Sequence, residues 1–276
     1  MADQLNLVFF PASYSELFSA WSRYPAAVPY AGGTGLIREK GRQILELPSM
    51  ILSLDRLEEM HRISRTERFL EIGAMVKLSQ IIELGKIVPI ALRRCLESIA
   101  GPQLRNMATI GGNICFSGWR LDSPAVLNAL DAQFELRTAQ SSRWISAPRF
   151  LSTPVRDTLK PQEILTRIRV PLDTWDYSIY NKFDSQANRS RVAVMLVKTQ
   201  KNVLNDIKIV YKTDVILRDR NGEGILIGKH LPLGRRIVSD FIGHWEDFLK
   251  GVQNIDELSR QELINFITIN VNSLSE

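Results

Sequence analysis

The chain is poor in the residues that mark several functional classes. Its only cysteines are Cys95 and Cys115. They offer neither a disulfide framework nor zinc-ligand spacing, and a reducing cytoplasm is the default expectation. The histidines His61, His230 and His244 are scattered and group into no metal site or triad. No apolar run reaches the length of a membrane helix, and Met1-Ala2-Asp3-Gln4 starts no signal peptide, so no membrane partner is expected. Basic residues are not concentrated either. The net charge is +5, and pairs such as Arg93-Arg94 and Arg235-Arg236 stand alone. A nucleic-acid partner, which calls for a basic stripe, is therefore not expected. A diffuse positive field instead helps to attract a small polyanion.

What remains is an ordinary globular composition, with 45% hydrophobic and 24% charged residues. That is enough for one large core or two moderate ones. Ser13 and Glu16 have capping-box spacing, and Leu17, Phe18 and Trp21 follow on one helical face. Val28 to Ala31, Gln43 to Leu47 and Phe69 to Ala74 read as strands. Leu78 to Ile99 reads as helix, broken at Pro89. Leu121 to Leu130 is a further helix, and Ala132 to Leu136 and Arg167 to Val170 are strands. Pro171-Leu172-Asp173 is the linker candidate, giving domains 1–172 and 173–276. Beyond it, Tyr177 to Phe183, Val192 to Val197, Asp206 to Tyr211 and Val215 to Arg218 suggest a small antiparallel sheet. Two helices close the chain, one with a stripe from Val238 to Leu249, the other opening on the capping pair Ser259 and Glu262. This mixed order argues for an α+β fold.

Two glycine-bearing segments carry the chemistry. Ala31-Gly32-Gly33-Thr34-Gly35-Leu36 holds three glycines and a hydroxyl, and Asn106 to Asn113 is a second turn containing Thr109-Ile110-Gly111-Gly112-Asn113. Consecutive backbone N–H groups that point into a concavity bind phosphate, and glycine allows both positive φ and close approach. Two such nests suit the two phosphates of a dinucleotide. Neither segment matches the Walker A pattern or Gly-x-Gly-x-x-Gly. Taken alone, a Gly-Gly pair is more often a simple tight turn.

The longer context is more specific. The run Ile99-Ala100-Gly101-Pro102-Gln103-Leu104-Arg105-Asn106-Met107-Ala108-Thr109-Ile110-Gly111-Gly112-Asn113-Ile114-Cys115 closely resembles the signature of the FAD-binding subunits of xanthine dehydrogenase and carbon monoxide dehydrogenase. Ala31 to Leu36 resembles that family's first phosphate loop. Glu71-Ile72-Gly73-Ala74, Asp122-Ser123-Pro124, Pro161 to Leu165, Tyr180 to Phe183 and Glu223 to Lys229 resemble further landmarks, in order, along nearly the whole chain. The resemblance implies a two-lobed flavin domain of the vanillyl-alcohol-oxidase (PCMH) type, followed by a small C-terminal sheet-and-helix domain. It implies non-covalent FAD, held in a molybdenum hydroxylase beside an iron–sulfur subunit and a molybdenum-cofactor subunit. Electrons would then pass from the clusters through FAD to NAD or another acceptor, and no residue here need act as a nucleophile.

By the same resemblance, Pro29, Tyr30, Ala31, Gly32, Gly33, Thr34, Gly35 and Leu36 wrap the pyrophosphate from one side. Thr109, Ile110, Gly111, Gly112 and Asn113 close the cradle from the other. Ile99 stands where the family places a residue against the isoalloxazine, Asp122 where an aspartate bonds the ribityl hydroxyls, and Ile164 along the adenine. Lys182 and Phe183 match a pair that reaches the flavin from the second domain. For Gln103, Arg105 and Asn106, locking the loop backbone is the favoured role. Some positions depart from the family. Gly35 replaces a frequent acidic residue, and Ser117-Gly118-Trp119-Arg120 replaces a small-residue and proline segment. These departures leave room for an alternative, a diverged scaffold subunit with weak or no FAD binding. A self-contained oxidase with covalent flavin would need a histidine or cysteine at the ring, and Cys115 is the nearest one to a glycine segment.

Overall fold

The computed structural model describes residues 7–36, 47–116, 121–183, 190–253 and 255–275. The chain divides into two compact units. One comprises Met1–Leu127 and Asp131–Leu172, the other Asn128–Leu130 and Asp173–Glu276.

In the first unit a small parallel sheet comes first. Strands β1 (Leu7–Phe9), β2 (Val28–Tyr30) and β3 (Met50–Ser53) run in the order β1-β3-β2. Helix α1 (Tyr14–Arg23) lies between β1 and β2 in the chain. The Ser13 hydroxyl accepts from the Glu16 amide at 3.2 Å, and Leu17, Phe18 and Trp21 are buried, as the periodicity predicts. Of the expected strand Gln43 to Leu47, all but Leu47 lies outside the described residues.

A five-stranded antiparallel sheet follows, in the order β4-β5-β8-β6-β7. Its strands are β4 (Ile63–Arg65), β5 (Phe69–Gly73), β6 (Gln133–Arg137), β7 (Ser142–Ser146) and β8 (Ile164–Pro171). The period of two sends Leu70, Ile72, Phe134, Ile168 and Val170 into the core. It leaves Glu71, Arg167 and Arg169 on the opposite face, where both guanidinium groups donate to the Glu71 carboxylate at 3.0 and 2.8 Å.

The expected helix from Leu78 to Ile99 divides into α2 (Leu78–Glu83) and α3 (Ile90–Ser98). Pro89 stands at the N-cap of α3, and Gly85 between them takes a left-handed φ of 59°. Asn106 to Asn113 is not a plain turn. It ends in the start of helix α4 (Ile110–Cys115), with Thr109 as N-cap accepting from the Gly112 amide at 3.1 Å. Helix α5 (Ser123–Ala129) follows.

In the second unit four antiparallel strands, β9 (Tyr177–Phe183), β10 (Arg191–Gln200), β11 (Val203–Lys212) and β12 (Ile216–Leu217), run in the order β12-β11-β10-β9. Ala193, Met195, Ile207 and Ile209 share a core with Phe241 and Trp245 of helix α7 (Arg235–Gly251) and Leu263 and Phe266 of helix α8 (Glu257–Asn272). Helix α6 (Arg220–Leu226) precedes them. Ser259 does not cap α8. Asp256 does, accepting from the Ser259 amide at 2.6 Å, while Ser259 is buried inside the helix. Glu262 is engaged elsewhere, by Arg191 at 2.7 and 2.8 Å and by the Tyr211 hydroxyl at 2.9 Å. Among the described residues no helix is long and apolar enough to cross a membrane, and no three His, Cys, Asp or Glu side chains group as metal ligands.

Candidate functional site

The two glycine segments, far apart in sequence, meet in the first unit. A cavity of about 360 Å³ is lined by every residue from Pro29 to Leu36 and by Thr109, Gly111, Gly112, Asn113 and Ile164. That size lies within the ordinary range for small-molecule pockets, about 300–1,000 Å³. Strand β2 delivers Pro29 and Tyr30 to its rim, and the chain then turns into a helical stretch at residues 34–36.

Absence of a side chain is what lets the segments touch. A Cβ on Gly32 would overlap the Met107 carbonyl oxygen and come within 2.9 Å of its carbon. Gly33 has φ of 69°, a left-handed backbone that favours glycine, and the Tyr30 hydroxyl lies against it. A Cβ on Gly111 would stand 2.6 Å from the Ala74 Cβ and 2.7 Å from its carbonyl oxygen.

The hydrogen-bond capacity of the two segments differs sharply. Among the described residues the amides of Gly32, Gly33, Thr34, Gly35 and Leu36 donate to no backbone acceptor outside the helical stretch at residues 34–36. The second segment is different. Ile110 donates to Val76 O at 3.0 Å, Gly111 to Ala74 O at 2.8 Å, Gly112 to the Thr109 hydroxyl at 3.1 Å and Asn113 to Thr109 O at 2.9 Å. The two segments therefore differ in the amides they leave for a ligand. The first segment lines the cavity with amides that are not used in this way, and the second is a wall whose amides stabilise their own helix start and its seat on the 74–76 turn after β5. Its glycines serve close packing.

The other candidate residues are distributed as follows. Ile110 is buried at 1% exposure and is not on the cavity wall. Asn113 is on the wall, and its side-chain oxygen accepts from the Ser123 hydroxyl at 2.6 Å, joining α4 to α5. Asp122 is buried immediately before α5 and stands off the wall, although its neighbour Leu121 lines it. Ile99 caps the C-terminus of α3 and is also off the wall. Its carbonyl accepts from Arg105 at 3.0 Å, as do those of Glu97 at 3.0 Å and Ala100 at 2.6 Å. Arg105 therefore locks the approach to the second segment, including Ala100 at its positive φ of 46°. Lys182 and Phe183 lie on β9 of the second unit, where Phe183 meets Tyr211 edge-on at 6.2 Å. Ser117 to Arg120 lie outside the described residues.

Sequence reading missed several wall residues, among them Met60, Met75, Cys115, Phe116 and Glu163. Glu163 accepts from Nε and Nη2 of the Arg143 guanidinium, each at 2.8 Å, and this partner holds the carboxyl below the usual range. Burial pushes the Cys115 thiol up to about 12, so it stays protonated and is a poor nucleophile toward any ligand in the cavity. Among the described residues no histidine lines the wall.

A concave wall lined by a glycine-rich segment with a hydroxyl, in a mixed α+β unit, suits a phosphorylated ligand. Comparison with known proteins makes this specific. A family model described as the FAD binding domain in molybdopterin dehydrogenase matches residues 3–173. The glyceraldehyde dehydrogenase medium chain of Sulfolobus acidocaldarius is 31% identical over 210 residues, covering 74% of each chain. Aldehyde oxidase 1 of Bos taurus is 29% identical over 64% of this chain, which spans only 14% of that much longer protein. Quinoline 2-oxidoreductase from Pseudomonas putida 86 shares the fold, with a TM-score of 0.81 at 20% identity over 98% of this chain and 96% of that one. The chain belongs to the FAD-binding subunits of the molybdenum hydroxylase family, and FAD is the family's cofactor. The residues present fit that group. The diphosphate of a dinucleotide needs clustered donors on a concave wall, and the Gly32 to Leu36 segment with its Thr34 hydroxyl lines such a wall.

Proposed function

We propose that this chain holds FAD non-covalently in the 360 Å³ cavity, as the flavin component of a multi-subunit molybdenum hydroxylase. One observation carries the assignment: the residues from Gly32 to Leu36 share a wall, and their amides donate to no backbone acceptor outside the helical stretch at residues 34–36 among the described residues. In this reading they receive the diphosphate oxygens, and the Thr34 hydroxyl adds a sixth donor. Each such bond is charge-assisted and contributes about 1.5–3 kcal/mol. The second segment contributes shape: Thr109, Gly111, Gly112 and Asn113 bound the cavity and exclude water. Ile164, at the start of β8, supplies an apolar surface for the adenine. Ile99 and Asp122, off the wall, act one layer back: Ile99 through the turn that Arg105 clamps, Asp122 at the start of α5.

Bound FAD would supply two-electron chemistry, linking the iron–sulfur and molybdenum-cofactor subunits of such a complex to NAD or another acceptor. The protein's part is to position and shield it. The protonated Cys115 and the absence of a wall histidine among the described residues favour a non-covalent complex. The test is an FAD titration of the wild type beside Gly112→Trp. Gly112 is on the wall, and a Cβ there would meet only the Thr109 hydroxyl, at 2.9 Å. The indole is expected to fill the cavity and abolish binding. Equal affinity in the two proteins would remove the site assignment.

A further inference from the structure

Phe116 follows the second glycine segment. Its amide donates to Gly112 O at 3.1 Å, and its ring returns onto the first segment. A Cβ on Gly35 would lie 2.5 and 2.7 Å from two ring carbons and 3.4 Å from a third. Both residues are on the cavity wall. Gly35 belongs to the helical stretch at residues 34–36 and does not occupy the left-handed region. Any L-residue fits such a backbone, and alanine is the better helix former there. At this position it is the ring, rather than the backbone conformation, that opposes a side chain. Contrast Gly33, whose left-handed φ of 69° favours glycine whatever surrounds it.

The geometry points to Phe116 and Gly35 as one positioning pair for the cofactor. The Met107 carbonyl meets Gly32 at one end of the amide row, and the Phe116 ring meets Gly35 near the other. Between them these contacts fix the spacing of the two segments and hence the reach of the amides toward the diphosphate. The two ends differ in kind. The carbonyl belongs to the backbone and cannot rotate away. The ring can rotate, and a side chain on Gly35 would drive it off its seat on the wall. This inference rests on the reading that the cavity takes FAD.

A double-substitution cycle tests it, with two readouts: FAD affinity, and melting temperature without FAD. Gly35→Ala is expected to weaken FAD binding at least about tenfold, the scale of one lost charge-assisted bond. Phe116→Ala is expected to weaken it similarly, and Phe116→Leu, which keeps apolar bulk on the wall, to restore most of the loss. In the Phe116→Ala background, Gly35→Ala should weaken binding no further. There it should raise the FAD-free melting temperature by about 2–4 °C, because only its helix-forming gain remains. If Gly35→Ala unfolds the chain alone but not in the Phe116→Ala background, the pair is again supported. Gly35→Ala binding FAD like the wild type, or losses that simply multiply in the double variant, would overturn the pairing while leaving the site intact. A wild type that binds no FAD would sink both.

Discussion

Replacing Gly32 with alanine probes the meeting of the two segments most severely. The new methyl would overlap the Met107 carbonyl oxygen and approach its carbon to 2.9 Å and the Ala108 Cα to 3.4 Å. All three neighbours are backbone, so relief requires one segment to move, by about 1 Å, and overpacking of this kind destabilises by about 1–3 kcal/mol. Gly32 is not in the left-handed region, so alanine also restricts the unfolded chain and offsets about 0.4–1 kcal/mol. The net expectation is a loss of about 1–2 kcal/mol in urea unfolding. The effect on the cofactor should be larger. A displacement of about 1 Å takes a donor from about 2.9 Å beyond hydrogen-bond reach, and loss of one or two charge-assisted bonds lowers affinity about 10- to 1,000-fold. Fluorescence titration of the FAD-free protein measures this directly. Unchanged affinity in Gly32→Ala would refute the claim that the amide row is set by contact with Met107.

Three further outcomes follow from the same geometry. Thr34→Val removes a hydroxyl and keeps the volume, and it should weaken FAD about 10- to 150-fold with little change in FAD-free melting, the loss of one charge-assisted bond of about 1.5–3 kcal/mol. Arg105→Ala removes the donor shared by the carbonyls of Glu97, Ile99 and Ala100, and it should destabilise the chain by about 2 kcal/mol, read by urea unfolding; a loss within error would show that the clamp is idle. Glu163 makes stability depend on acid. Arg143 lowers its folded pKa below the ordinary 4.5, so its contribution is complete above that value and is lost as pH falls through the folded pKa. Glu163→Gln should flatten that part of the acid limb and remove about 1 kcal/mol near neutrality, allowing for solvent around the 39% exposed Arg143 side chain. A parallel acid limb in the variant would refute this.

The first segment was legible because its physics is local. Three glycines and a threonine in a short span suggest closely approachable amide donors, whether or not a ligand is known. The second was only half legible. A Gly-Gly pair is required equally by a ligand against the backbone and by Ala74 packed on Gly111, and sequence does not distinguish two reasons for lacking a Cβ. Helix α1 and the four strands of the second unit follow hydrophobic period and turn residues, so they could be read directly. Ser259 misled because Asp256, three residues earlier, is as good a cap. The missed wall residues arrive by different routes: Cys115 and Phe116 directly follow the second segment, whereas Met60 and Met75 are joined by the Met75 amide donating to the Met60 carbonyl at 2.8 Å. Phe116 and Met75 look like core in any periodic reading, and the Arg143–Glu163 pair joins β7 to the approach of β8 across twenty residues.

The central claim is that this polypeptide by itself forms the flavin site. The most direct measurement is FAD bound per chain after reconstitution and gel filtration without partner subunits, followed by acid precipitation. One equivalent of flavin on the folded protein, all of it released into the acid supernatant, is the predicted result. A colourless protein after reconstitution, or flavin that stays with the precipitate, would contradict it.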